Sequence, residues 1–158
     1  MIATVRLVDD TGVSTLCELD LMRFSEGQVR ERMRERGFKD DSFFVCAFSD
    51  WGVDRVMSLR EAYQLKRYII SHCSGDEQLM IELLKQHWSV TDIVNCRFTF
   101  IGEGDLVILK RLFEGRSTDN IARIVHAMGN CADIITIFAQ TNKLLLTQKG
   151  AYLIEDMS

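Results

Sequence analysis

Residues 37–51, Gly-Phe-Lys-Asp-Asp-Ser-Phe-Phe-Val-Cys-Ala-Phe-Ser-Asp-Trp, set an apolar run from Phe43 to Phe48 between Asp40 and Asp41 on one side and Asp50 on the other. Six consecutive residues of this kind, bounded by turn-forming polar residues, predict a buried strand. Gly37 stands where a helix C-cap glycine belongs, and a Ser-initiated helix opens soon after Trp51. The strand is therefore entered from one helix and left towards another.

Upstream, ATVRLV, a turn at Asp9-Asp10-Thr11-Gly12, and VSTLCELDL predict a β-hairpin with an acidic turn. Strict alternation puts Val13, Thr15, Cys17 and Leu19 on one face of its second strand, and Leu16 and Glu18 on the other. Ser25 with Gln28 forms a capping box for EGQVRERMRER. Ser58 with Glu61 opens a second helix, whose Leu59, Ala62, Tyr63, Leu65, Tyr68, Ile69 and Cys73 recur at helical spacing. After the break at Gly75-Asp76 come a helix over EQLMIELLKQHW and a short Ser89-capped helix, SVTDIVN, and then the strand CRFTFIG.

Beyond Gly102 and Gly104, DLVILKRLFEG predicts a helix closed by Gly115, and a cap at Ser117 or Thr118 starts DNIARIVHAMG. ADIITIFAQ reads as a short helix, with strand as the alternative that its β-branched residues support. LLLTQKGAYLIED predicts a closing hairpin around Gln148, Lys149 and Gly150. Helices come in groups between strands instead of alternating singly with them. The layout is therefore α+β, with small mixed or antiparallel sheets and packed helices, in an N-terminal lobe over 1–95 and a C-terminal lobe over 96–158.

At 158 residues, 47% hydrophobic, 27% charged and without proline, the chain can bury a sizeable core. The five cysteines, Cys17, Cys46, Cys73, Cys96 and Cys131, form no CxxC pair and no zinc-type spacing, so reduced thiols in a cytoplasmic setting are the expectation. The N-terminus lacks the basic and apolar regions of a signal peptide, and no run of eighteen apolar residues predicts a membrane span. The net charge is −4, and all of the excess lies in residues 1–95, with 16 acids against 12 bases; residues 96–158 hold 7 of each. Such a field repels nucleic acid and favours basic partners.

Catalytic and cofactor patterns are weak. His72 and Cys73 are adjacent, so on a helix they point about 100° apart and do not form a nucleophile and base pair with one another. His87 and His126 have no acidic or cysteine partner three or four residues on, which argues against a metal site. GEGD after CRFTFI lacks both the glycine spacing and the Lys of a phosphate loop, and Glu103 and Asp105 would repel a phosphate. No nucleophile elbow or cofactor fingerprint is present, and the chain reads as a non-enzyme that takes no cofactor.

The N-terminal succession of strands, a short helix, GFKDDSFFVCAFSDW, a Ser58-Leu59 helix start and the Trp88-Ser89-Val90-Thr91-Asp92 short-helix signal resembles the N-terminal lobe of ArdA-type antirestriction proteins. The ending from Leu146 to Glu155 is similar to the strand, polar turn and aromatic strand that finish that family. The resemblance implies an elongated, DNA-mimicking anti-defence protein of a mobile element. Its carboxylates would imitate phosphates and occupy the DNA groove of a type I restriction-modification enzyme or another DNA-targeting complex. The partner-binding residues so implied are Asp9, Asp10, Glu18, Asp20, Asp40, Asp41, Asp50 and Asp54 as phosphate surrogates, with Trp51 as an anchor. Family members are strongly acidic, whereas this chain sets 19 bases against 23 acids, four of them the arginines of RERMRER. Turn chemistry accounts for Asp9-Asp10 or Asp40-Asp41 taken singly; mimicry requires a shared surface.

Two further expectations concern the second part. Residues 105–139 resemble the helix-turn-helix of response-regulator transcription factors, but 129–140, the segment that would enter the major groove, holds no Lys or Arg. Protein binding thus ranks above DNA binding, and no membrane partner is expected. Apolar surface on the C-terminal hairpin would favour a homodimer.

Overall fold

The structure, a computed structural model, describes residues 1–157. It is an α+β fold with two antiparallel sheets and seven helices among the described residues. The chain divides into two compact units, Met1–Val94 and Asn95–Ser158.

In the first unit β1 (Ile2–Asp9), β2 (Gly12–Asp20), β3 (Phe43–Phe48) and β4 (Val53–Met57) form a sheet in the order β2-β1-β3-β4. β2 and β4 are therefore its edges. Helices α1 (Glu26–Glu35), α2 (Leu59–His72), α3 (Gln78–Lys85) and α4 (Val90–Asn95) accompany it. Ser25 and Ser58 close reciprocal capping boxes with Gln28 and Glu61, as their spacing predicts. The core joins Ala3, Val5, Val45 and Phe48 of the sheet to Leu65, Ile69, Met80 and Leu83 of the helices, all fully buried.

Two local features depart from the sequence reading. β4 falls where a helix start alone was expected, because Val53-Asp54-Arg55-Val56-Met57 is too short for its alternation to stand out. In β2 the register passes from Val5↔Cys17 to Arg6↔Thr15 and skips Leu16. That bulge reverses the facing of the strand at its midpoint, since one extra residue shifts a period of two. Cys17 and Leu19 share the core face with Val5 and Ala3, whereas Thr15 and Val13 lie opposite Arg6 and Val8 on the other face.

The second unit has β5 (Cys96–Gly102), β6 (Leu144–Thr147) and β7 (Gly150–Asp156) in the order β5-β7-β6, with α5 (Asp105–Leu112), α6 (Thr118–Met128) and α7 (Cys131–Gln140). The segment whose β-branched residues left strand open is the helix α7. It supplies Ile134 and Ile135 to a core shared with Ile108, Leu109, Leu112, Leu144 and Ala151. α6 buries no residue fully; its Ile124 and Met128 are only partly covered. The hairpin forms around Gln148 and Lys149 as expected.

Gly150 is required by a close approach. Its φ is +128°, and a Cβ there would come within 2.5 Å of the Gly102 carbonyl oxygen. Gly150→Ala should therefore lose more than about 1 kcal/mol of stability in denaturant unfolding. Gly27→Ala, in the first turn of α1 with open space around it, should gain about 0.5–1 kcal/mol.

Candidate binding surfaces of the N-terminal unit

Four of the eight implied phosphate surrogates are used by the fold itself. Asp9 accepts from the Thr11 N–H at 2.8 Å and from the Thr11 hydroxyl, and these bonds hold its carboxyl below the usual range. Asp20 accepts from the Met22 N–H at 3.0 Å, turning the chain out of β2. Asp40 receives Arg34 in a fork, at 2.7 Å from one guanidinium nitrogen and 3.3 Å from Nε. That guanidinium likewise keeps the Asp40 carboxyl low. Asp50 accepts from the Ile2 N–H at 2.7 Å and lies 2.7 Å from the Met1 amino group. A carboxylate already engaged by N–H donors has less to offer a basic partner.

The other four, Asp10, Glu18, Asp41 and Asp54, are exposed, and their side chains make no bond among the described residues. They fall into two groups. Asp10 tops the β1–β2 turn, and Asp41 precedes Ser42, whose carbonyl accepts from the Val8 N–H; both sit at one end of the sheet. Glu18 and Asp54 share a rung, for Glu18 pairs with Thr4, Thr4 with Ala47 and Ala47 with Asp54. Cross-strand partners point to one side, so both carboxylates stand on the face opposite Ala3, Val5 and Phe48. Arg6 and Val56 belong to the same open face, and Val56 is 73% exposed.

Trp51 does not have the exposure that an anchor needs. It is 6% exposed, its ring centre is 4.7 Å from that of Phe48, and its Nε1–H donates to Glu77 Oε2 at 2.7 Å. It is a packing residue whose polar edge is satisfied inside the unit.

The arginine helix is divided in the same way. Arg30 bonds Glu26 at 2.8 Å and Arg34 bonds Asp40, while Arg32 and Arg36 meet no carboxylate among the described residues. Between α1 and β2 runs a groove of about 520 Å³, lined by Cys17, Leu19, Phe24, Val29 and Met33 and bordered by Arg32, Arg36, Gln28 and the carboxylates of Glu18, Glu31 and Glu35. Burial pushes the Cys17 thiol up, and the positive charge of Arg36 offsets part of that.

Composition and spacing do not single out the side chains that fix the chain's turns between elements. Lys66 of α2 donates to the carbonyls of Leu21 at 2.6 Å, Phe24 at 3.1 Å and Met22 at 3.4 Å. The Tyr63 hydroxyl donates to the Phe24 carbonyl at 2.9 Å. Burial, with Glu26 and Asp20 nearby, pushes the Tyr63 hydroxyl up to about 12, so it stays a donor throughout the neutral range. In the second half of the unit Arg55 donates to the carbonyls of His87 and Trp88, both at 3.2 Å, at the exit of α3. Lys66 and Arg55 stand in periodic segments where a sequence offers only an exposed cation.

His72 and Cys73 have separate surroundings. The His72 ring stacks on Tyr68 at 4.6 Å and its Nδ1 lies 2.7 Å from the Ser71 hydroxyl. Burial, and then the charge of Asp76, pushes the Cys73 thiol up to about 11. No group of three or more His, Cys, Asp or Glu residues is arranged for a metal ion among the described residues, and no single helix is long and apolar enough to cross a membrane.

Lys66→Met should cost about 1.5–3 kcal/mol in equilibrium unfolding, because it leaves three carbonyls without their charged donor. Amide exchange should accelerate across residues 21–24. Burial thus raises the Cys73 thiol from its ordinary value of 9.0 up to about 11 in the fold. Its contribution to stability is therefore complete below pH 9 and lost as the pH rises to about 11. Cys73→Ala should flatten that part of the stability curve. Thiol labelling at pH 8 should reach the exposed Cys131 well before Cys73.

No protein family, curated protein or solved structure matches this chain.

Proposed function

We propose that the chain is a binding protein that inhibits a DNA-targeting complex by occupying its nucleic-acid groove, the anti-defence role that the resemblance to ArdA-type proteins implies. One observation carries this reading: Glu18 and Asp54, exposed and without a partner in the fold, share one rung and one face of the N-terminal sheet. Three strand spacings of about 4.8 Å set their backbones about 14 Å apart. That is comparable to the ~12 Å width of the major groove, across which phosphates of the two strands face each other. Asp10 and Asp41 extend the negative surface at the far end of the sheet, about 17 Å along β1 from the rung. Arg6, on the open face, offsets one charge, so the field favours a basic groove only at low salt.

The mimic set is thereby narrowed to Asp10, Glu18, Asp41 and Asp54. Asp9, Asp20, Asp40 and Asp50 support the surface by shaping the turns beside it, and Trp51 supports it by packing.

A second reading has one observation in its favour. α6 and α7 are bent by 96° at the Gly129-Asn130 break, an angle within the range of helix-turn-helix pairs. The chemistry of α7 runs against it: the helix carries no Lys or Arg, and Ile134 and Ile135 are committed to the core. Phosphate contacts would be left to Arg123 and His126 of α6.

The test is competition between this protein and duplex DNA for a type I restriction-modification complex at rising salt. The expected result is displacement of DNA at low salt that fades as salt increases. Glu18→Gln with Asp54→Asn should lower the slope of log affinity against log salt by about one to two, and Asp40→Asn should leave it unchanged. Absence of competition at low salt overturns the reading, and retention of DNA by the protein alone would assign the second one.

A further inference from the structure

Four strands lie at the edges of the two sheets, β2 and β4 in the first and β5 and β6 in the second. An edge presents main-chain N–H and C=O groups that a further strand can pair, and a long, regular one invites a second copy of the same chain. The edges differ in length: nine residues in β2, seven in β5, five in β4 and four in β6. Each of the three longer ones carries an extra residue opposite its neighbour. Pairing of β2 with β1 skips Leu16, and pairing of β5 with β7 passes from Phe100↔Tyr152 to Gly102↔Ala151 and skips Ile101. In β4 the step from Ala47↔Asp54 to Val45↔Met57 sets Arg55 and Val56 against Cys46 alone. The four-residue edge β6 is regular. Interruption therefore falls where length would make an edge adhesive.

β2 has no other protection. Its sequence holds no Lys, and the chain contains no proline, the two residue types that most directly blunt an edge. Val13 and Thr15 are exposed and β-branched, which favours extended pairing. α1 is held apart from the strand by the groove between them. Leu16 divides β2 into the runs 12–15 and 17–20, each as short as β6. A bulge leaves its extra residue out of the ladder and adds twist. A regular strand laid along one run would be one residue out of phase with the other, with its side chains facing the wrong way.

Leu16 is also separable from the rest of the fold. It lies outside the buried core. Without it, Arg6↔Thr15 and Val5↔Cys17 become consecutive rungs, and Thr15, Cys17, Glu18 and Leu19 keep their present faces. The straightened strand could pair with itself across a two-fold axis. Centred between Thr15 and Cys17, that pairing would set Glu18 against Ser14 of the second copy, so no like charges oppose it.

We infer that Leu16 is an edge guard, an inserted residue whose role is to keep β2 from pairing with β2 of a second copy of this chain. The irregular rungs of β4 and β5 serve their own edges in the same way. This role is independent of the inhibitor reading, because it concerns what the sheet refuses and not what its open face binds.

The experiment is sedimentation velocity with amide exchange on three full-length proteins: the parent, a deletion of Leu16, and Leu16→Ala, which keeps the extra residue and removes its side chain. The deletion variant should melt cooperatively, and its average mass should rise with concentration to at least about twice the parent's. Every second amide over 12–20, the set facing away from β1, should exchange more slowly than in the parent. Leu16→Ala should sediment and exchange like the parent. A deletion variant whose mass does not rise, or that associates without protection over 12–20, overturns the proposal. So does one that no longer melts cooperatively, since Leu16 would then be part of the fold. Association of Leu16→Ala to the same extent would trace the effect to the lost side chain and overturn it too, as would a parent that is already dimeric with 12–20 protected.

Discussion

The Lys66 ammonium, donating to the carbonyls of Leu21, Met22 and Phe24, fixes where the chain leaves β2 and how it enters α1. A turn from strand to helix exposes consecutive carbonyls that the sheet no longer satisfies, and a half-buried cation reached from α2 meets three of them at once. Tyr63, one turn earlier on α2, meets the Phe24 carbonyl a second time. Ser25 can then cap α1 at that position, and the position of α1 in turn sets the width of the groove beside β2. The surface that presents Arg32 and Arg36 therefore rests on two side chains of a different helix.

Charge is used economically in the N-terminal unit. Asp9, Asp20, Asp40 and Asp50 satisfy N–H donors or a guanidinium nearby, a local role that competes with any display of negative charge. What remains is a rung across the sheet and a pair at its end, on a chain whose net charge is −4. A surface of that kind recognises by placement more than by field strength, because the potential of a few exposed charges is damped within about 8 Å at physiological salt.

Much of the fold is legible in local signals. The serines at 25, 58 and 117 each begin a helix because a hydroxyl satisfies an otherwise unpaired backbone N–H. The apolar run from Phe43 to Phe48 marks the strand that lies between β1 and β4. The bulge at Leu16 is not legible, because alternation over nine residues looks unbroken until the register of β1 is known. β4 escapes for want of length. The occupation of the carboxylates escapes for a different reason, since the partners of Asp40 and Asp50 are set by tertiary approach. The same approach turns Trp51 from an expected surface anchor into a neighbour of Phe48, with Glu77 on its indole nitrogen.

α6 is amphipathic yet buries no side chain completely. Most of its backbone bonds are thus guarded only by the helix itself and by the partial cover over Ile124 and Met128. Segments with so little tertiary cover open at low free energy while the rest of a domain stays closed. Residues 118–128 are accordingly a segment of low local stability, open to early entry by a protease or an exchanging solvent proton.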